Sequence, residues 1–356
     1  MSTRATELTD ARAGEAISVH AFDGSVQEWD SFVEKVERST FCHLGGWREI
    51  VTDVLGHQCL YAVASNDTGV WEGVLPMVRV KSPLFGHYLV SMPFLNYGGP
   101  IGSPVAEAAL TQHALAQARR LDVDLLELRS RTHLSAAPPA TIRKITVLLD
   151  LPPEPEVLWH ERFRAKLRSQ IRRPQKDGMV TQFGLEQVEP FYEVFSRNMR
   201  DLGTPVLPRG FFERLSALFP DAVVFGVVYR RDEPVAAGCG FVWQDEFEMT
   251  WASALRKYSA QAPNMLLYWA FMENMVARGI RVFNFGRCTS GSGTHRFKRQ
   301  WGGMDVPLPW IQWTPRNVGT TPSPERPLFH LAATAWSHVP LALANRVGPL
   351  LAKNLP

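Results

Sequence analysis

Cysteine is scarce in this sequence: four residues in 356, at Cys42, Cys59, Cys239 and Cys288, with no CxxC pair and no histidine at zinc-ligand spacing. That scarcity excludes a disulfide-stapled scaffold and a structural zinc module, and it predicts reduced, mostly buried thiols in a cytosolic protein. No apolar run approaches the roughly 18 residues that span a bilayer. The opening MSTRATELTDARAGEAIS lacks the basic stretch and apolar core of a signal peptide. Neither secretion nor membrane insertion is expected, and a cytoplasmic location is. An excess of one charge sign is missing too. Lys and Arg number 38 against 35 Asp and Glu, and a net charge of +3 is too small for nucleic-acid binding by the whole protein. Any basic function must be local.

What is present is enough apolar material, 45% hydrophobic against 21% charged, to bury the cores of two domains. Residues 1–15 read as a loose tail. Over 16–150 the pattern gives a strand at 17–22, a helix at 26–37, a hairpin of 59–64 and 70–80 about the turn Asn66-Asp67-Thr68-Gly69, and a strand at 87–91. A helix at 106–121 and strands at 123–128 and 142–149 complete it. The Pro-rich Leu151–Pro155 then breaks regular structure. Within 151–320 the order recurs, with strands at 222–229, 235–243 and 247–252, a helix at 264–278 and a strand at 280–285. Antiparallel strands followed by a helical crossover define a mixed α/β layer, here expected twice, as two packed domains with separate sheets and a ligand groove between them or along the second. The segment 321–356 reads as a helical extension. Between Pro327 and Pro356 it has no acidic residue and carries apolar clusters near Leu328, Trp336, Leu341 and Leu350. A cap on the second domain is the first reading and reversible membrane contact the second.

The most unusual stretch is FNFGRCTSGSGTHRFKRQWG, Phe283 to Gly302. A strand ends at Gly286-Arg287, a Ser-Gly-Ser-Gly loop follows, and His295, Arg296, Lys298 and Arg299 then alternate with Phe297 and Trp301. Glycines admit a ligand close to the backbone, and fixed cations at a strand end suit a phosphate or a developing oxyanion. A solvated basic turn is the alternative. His43, His57 and His295 have no carboxylate partner in a recognisable pattern, so no triad is expected. Glu246, Glu248 and Glu273 are candidate general bases that read first as surface charge. The tryptophans are core by default, Trp301 beside Phe297 excepted.

This segment resembles the signature of the FemAB/FemX family, and the residues that carry the likeness are Phe285-Gly286-Arg287, Gly291, Gly293, Phe297-Lys298, Trp301-Gly302 and Pro307-Leu308. FRAKLRSQIRRPQKDGM is similar to the family's helix at the entrance to the second domain, through Lys166, Arg168, Ile171, Arg172, Lys176 and Gly178. Pro174 departs from that pattern and is expected to kink or end the helix. Asn96-Tyr97-Gly98-Gly99-Pro100 is similar to the family's YGGP turn, and the spacing most resembles the branch associated with exosortase and PEP-CTERM gene systems.

The resemblance implies two tandem GNAT-like domains, the active site in the second, and transfer of an acyl or aminoacyl group to an amine or hydroxyl of a cell-envelope or exopolysaccharide-related acceptor. No tightly bound cofactor or metal is implied. The donor is a co-substrate: aminoacyl-tRNA as in characterised relatives, an acyl carrier protein, or acyl-CoA as the BioF2-like acetyltransferase relatives suggest. Ordinary GNAT enzymes cradle the CoA pyrophosphate in a Gly-rich loop, and Tyr258-Ser259-Ala260-Gln261-Ala262-Pro263-Asn264 has no glycine there. The implied chemistry is direct attack without a covalent intermediate. Lys298 stabilises the tetrahedral oxyanion, and Arg287 holds a substrate phosphate or carboxylate. Phe297 and Trp301 wall the pocket, Gly286 and Gly293 let substrate approach, and Tyr97 reaches in from the first domain. Arg168 and Arg172 attract the anionic donor. The rival reading is a non-catalytic RNA- or anionic-glycolipid-binding module, drawn from the basic residues between Arg162 and Lys176.

Overall fold

Short apolar runs punctuated by glycine and charged turns fold into strands, and the longer periodic segments into helices. A computed structural model describes residues 17–83, 85–134, 140–315 and 327–354, so the expected tail over 1–15 lies outside the described residues. The first half runs β1 (Ser18–Ala21), α1 (Val26–Val33), a short α2 (Trp47–Glu49), β2 (Gln58–Cys59), β3 (Ala62–Ser65), β4 (Trp71–Leu75), β5 (Val78–Ser82), β6 (Gly86–Val90), β7 (Ile101–Gly102), α3 (Pro104–Arg120), β8 (Leu125–Leu128) and β9 (Thr141–Asp150). The second runs α4 (Pro155–Val157), α5 (Ala165–Lys176), β10 (Met179–Phe183), α6 (Val188–Asp201), α7 (Arg209–Leu218), β11 (Val223–Arg230), β12 (Glu233–Trp243), β13 (Glu246–Ala254), α8 (Pro263–Ala277), β14 (Val282–Cys288), α9 (Gly293–Arg299) and β15 (Met304–Trp313). Helices α10 (Pro327–Ser337) and α11 (Leu341–Ala352) follow.

The mixed α/β architecture, sheets flanked by helices, is the expected one. The separation of the sheets is not. A four-stranded sheet, β1-β3-β4-β7, belongs to the first half, but the other sheet has 11 strands in the order β10-β11-β12-β13-β14-β9-β15-β8-β6-β5-β2 and runs through both halves. Strand β9 pairs antiparallel with β14 on one side and β15 on the other, while β15 returns to pair with β8. Each half lends a strand to the other, which leaves no open ladder at the seam for another chain to join.

The apolar core crosses the same seam. Phe41 stacks on Phe241 with centroids 4.2 Å apart, and Trp47 packs against Phe211, Phe219 and Phe241. Helix α3 starts on Ser103, whose hydroxyl accepts from the Ala106 amide, followed by proline at the first helical position. Helix α5 runs to Lys176, past Pro174, so of the kink or end expected at the proline the end does not occur. The proline falls in the last turn, where its ring removes a single backbone bond, and it is buried with Leu167 and Ile171. Helices α6, α7 and α9 and strands β7, β10 and β15 were among those not anticipated. The C-terminal helices cap the second half against α6, with Asn345 donating to Ser196 at 3.4 Å and Arg200 to the Val339 carbonyl at 3.1 Å. They also touch the first half, where the His57 ring meets the Lys353 carbonyl at 2.5 Å. Among the described residues no helix is long and apolar enough to cross a membrane.

Candidate active site

Strands β13 and β14 run parallel, but their pairing is confined to Glu246–Glu248 against Val282–Asn284. Beyond it lies a cavity of about 360 Å³, lined by Ala252, Ser253 and Ala254 of β13, Asn264, Leu267 and Tyr268 of α8, Asn198 of α6, and Gly293, Thr294 and Phe297 of α9. Gly286 marks the point of divergence. Its φ is +70°, and a Cβ there would stand 2.8 Å from the Met249 carbonyl oxygen, so no side chain is tolerated. The β14 ladder to β9 shifts register between Asn284 and Arg287, and this bulge turns the Gly286 and Arg287 carbonyls outward. Lys298 meets both, its ammonium donating at 2.7 and 2.9 Å. Lys298 is buried, and burial brings it down to about 8, an effect opposed by Cys288 and Glu248.

A second cavity, about 560 Å³, opens at the seam between Arg38, Phe41, Tyr97 and Arg131 of the first half and Phe241, Trp243, Glu246 and Glu248 of the second. Its floor is a hydrogen-bonded network. Asn96 Nδ2 donates to Glu248 Oε1 at 2.6 Å, and Asn284 Nδ2 lies 2.9 Å from the Tyr97 hydroxyl, 2.8 Å from Glu246 and 3.4 Å from Glu248. Thr146 donates to Asn284 Oδ1 at 2.5 Å, which fixes the amide's orientation, and Arg131 forms an ion pair with Glu246. Among the described residues Glu248 forms no ion pair. Burial first and Glu246 second raise it to about 7, so it exchanges a proton near neutrality. The loop over this floor is strained, with Met92 and Phe94 both at positive φ, and buried Arg129 ties it down through the Met92 and Leu95 carbonyls.

The residues singled out in the sequence therefore divide. Phe297 and Gly293 line the first cavity, Tyr97 the second, and Lys298 and Arg287 stand beside the bulge. Trp301 is not a pocket wall: it is fully buried, packed on Phe163, Tyr268 and Phe297, and backs the cavity from the core. Arg168 points inward to the carbonyls of Trp159 (3.1 Å) and Phe163 (2.5 Å), while Arg172 lies over the Trp159 ring at 5.0 Å on an exposed face. His295 does have a carboxylate partner, Asp305, at 3.0 Å. The surface reading fails for Glu248, which is buried; Asn284 and Arg131 were missed. The signal for Asn284 was its place between Phe283 and Phe285, an amide in an apolar strand. Among the described residues no cluster of His, Cys, Asp or Glu is arranged to hold a metal ion.

Residues 161–299 match the family described as the acetyltransferase (GNAT) domain. No curated protein matches the sequence. Among solved structures the chain is similar to FemX, at 13% identity and TM-score 0.62 over 83% of this chain and 97% of that one. It is similar to the C-terminal domain of a putative lysylphosphatidylglycerol synthetase from Agrobacterium fabrum (12% identity, TM-score 0.56, 90% and 95% covered). It is also similar to a tandem GNAT protein from the clavulanic acid biosynthesis pathway (13%, TM-score 0.51, 85% and 100%). At such identities the likeness is one of fold, and it accords with the tandem architecture. The matched segment carries Glu248, Asn284, Phe297 and Lys298.

Proposed function

We propose that the chain transfers an acyl or aminoacyl group from a carrier-linked donor to an amine or hydroxyl of a cell-envelope or exopolysaccharide-related acceptor, in the cytoplasm or at the inner face of the membrane. The observation that carries this reading is one buried carboxyl poised near neutrality, Glu248, on the strand that also walls the cavity beside Phe297. The donor's acyl end enters that cavity, and the acceptor enters the seam cavity. The nucleophile attacks the donor ester or thioester directly, forming the new C–N or C–O bond as the carrier's oxygen or sulfur departs. Glu248 takes the nucleophile's proton. The Lys298 ammonium gives two protons to backbone carbonyls, which leaves a third for the tetrahedral oxyanion. Tyr97, whose hydroxyl burial and Glu248 keep protonated, orients Asn284 and the acceptor.

Two features support this reading. The turn before α8 is bound through Lys257 and Tyr258 to Glu233 and contains no glycine to cradle a pyrophosphate, which favours tRNA- or carrier-protein-linked donors over CoA. The likeness to a putative lysylphosphatidylglycerol synthetase, named for an aminoacylated lipid, supports an aminoacyl group as the one transferred. The test is mass spectrometry of envelope and exopolysaccharide precursors from cells with and without the protein. Loss of one acyl or aminoacyl substituent is expected, and identical precursor profiles would overturn the reading.

A further inference from the structure

The glycine-rich loop between β14 and α9 is tied down by an imidazole. The Gly291 amide donates to His295 Nδ1 at 2.9 Å, so that nitrogen presents its lone pair and Nε2 carries the proton. Nε2 lies 3.0 Å from both carboxylate oxygens of Asp305 on β15. The ring thus bridges the loop before α9 to the strand after it. Both of its nitrogens are spent on this bridge, which leaves neither to take a proton from a nucleophile. Asp305 also pairs with Arg299, in the last turn of α9, at 3.6 Å.

Helix α9 needs such a bridge. Its seven residues make about two turns, too few to hold as a helix unaided. At its start the Ser292 hydroxyl accepts from the His295 amide at 3.1 Å, and Arg296 donates to the Gly291 carbonyl at 2.8 Å. Just past its end the chain enters the core through fully buried Trp301. Phe297 and Lys298 stand between these anchors, the ammonium of Lys298 on the Gly286 and Arg287 carbonyls. We infer that His295 is a positioning residue: by clamping the loop to β15 it fixes the roll of α9, and with it the direction of the Lys298 proton left for the reacting centre. The inference rests on the role proposed above for Lys298. The clamp adds little to stability, because Gly291 is exposed, the Asp305 side chain is 38% exposed, and water can take over either bond. Water does not replace their direction, and a misplacement of about 1 Å at a reacting group is enough to slow a reaction severely.

Titration of the Lys298 ammonium, followed by NMR in the full chain with labelled lysine, tests this without substrate, so its failure and that of acyl transfer are separable. Burial holds that group at about 8, and Cys288, Glu248 and Arg287, which also act on it, are unaltered by a change at His295. In His295→Leu the loosened helix admits water to the ammonium, which should titrate clearly above 8, toward the ordinary 10.5, while the protein melts close to the unmodified chain. Asn keeps an acceptor for Gly291 and Gln a donor for Asp305, so His295→Asn and His295→Gln should each fall between. Where the chain turns over a donor, kcat should follow the same order, about tenfold lower in His295→Leu with KM unchanged. A Lys298 titration identical in His295→Leu and the unmodified protein overturns the inference. So do Asn and Gln variants that match Leu, since the two bonds would then not be the cause, and so does a change confined to KM. A His295→Leu protein that melts far lower or fails to fold also overturns it, because the ring would then be a structural part of the fold.

Discussion

Glu248 and Lys298 make opposed demands on the protein, because each is placed where its charged form is disfavoured. The carboxyl, raised to about 7, binds its proton in the folded state up to a higher pH than in the unfolded chain, where its ordinary value is 4.5. Its contribution to stability is therefore full below about pH 4.5 and declines as pH rises through 7. Glu248→Gln keeps an oxygen for Asn96 and Thr250 and removes the charge, so its melting temperature should equal or exceed the original at pH 8, with the difference closing by pH 5. The same variant should lose about 100-fold or more in kcat if Glu248 is the proton acceptor. Thermal melts across that pH range beside single-turnover assays measure both, and an unchanged rate refutes the role. Lys298→Met is expected to lower kcat on the order of 100-fold, and to cost about 1–3 kcal/mol because two carbonyls lose their donor. A folded variant with normal turnover leaves Lys298 as a backbone clamp. Lys298 stands out in the sequence through its motif, whereas the burial of Glu248 was not legible there: within Glu246-Phe247-Glu248 alternation reads as solvent-facing, and Glu248 meets Asn96, a contact 152 positions away in sequence.

At the scale of elements, the first turn of α5 carries charge that works against the helix's own stability. No acidic residue occupies its first turn, its N-cap is Arg164 without a side-chain cap, and Lys166 follows, although a helix N-terminus favours negative charge. Arg168 is spent on backbone carbonyls, but Arg164, Lys166, Arg172 and Arg173 are exposed. Under the proposed reading the anionic carrier of the donor docks there. Replacing Arg164, Lys166 and Arg172 by Gln should weaken donor binding and reduce the slope of log affinity against log salt by roughly one per lost phosphate contact. Arg168→Gln should instead lower the melting temperature. An unchanged salt slope in the triple variant would leave α5 a solvated helix. This basic helix and the strand–helix–strand units were readable because their signals are local, in period and composition. Strand β15 was not, since Pro307 and Pro309 interrupt its alternation, and its pairing with β8 and β9 is specified by residues far upstream.

For the whole molecule, the exchange of strands means that the two halves are not independent folding units, even though their element order repeats. Cutting near Pro153 strips β9 of both neighbours, β14 and β15, and takes from β8 its partner β15. It also opens the core at the Phe41–Phe241 stack and separates Asn96 and Tyr97 from Glu248 and Asn284. Unpaired central strands and bared aromatics are a route to aggregation. Residues 1–153 or 154–356 produced alone should therefore be insoluble or lack a cooperative melt, and co-expression of the two should recover a complex that melts as one unit. Two fragments that each fold cooperatively alone would show that the shared sheet is a docking of finished domains. The linkage also gives function a physical basis. With Glu248 on a second-half strand and Asn96 and Tyr97 on a first-half turn, the acceptor cavity exists only while the seam is closed, so acceptor binding should raise the melting temperature of the intact chain and bring no stabilisation to either fragment.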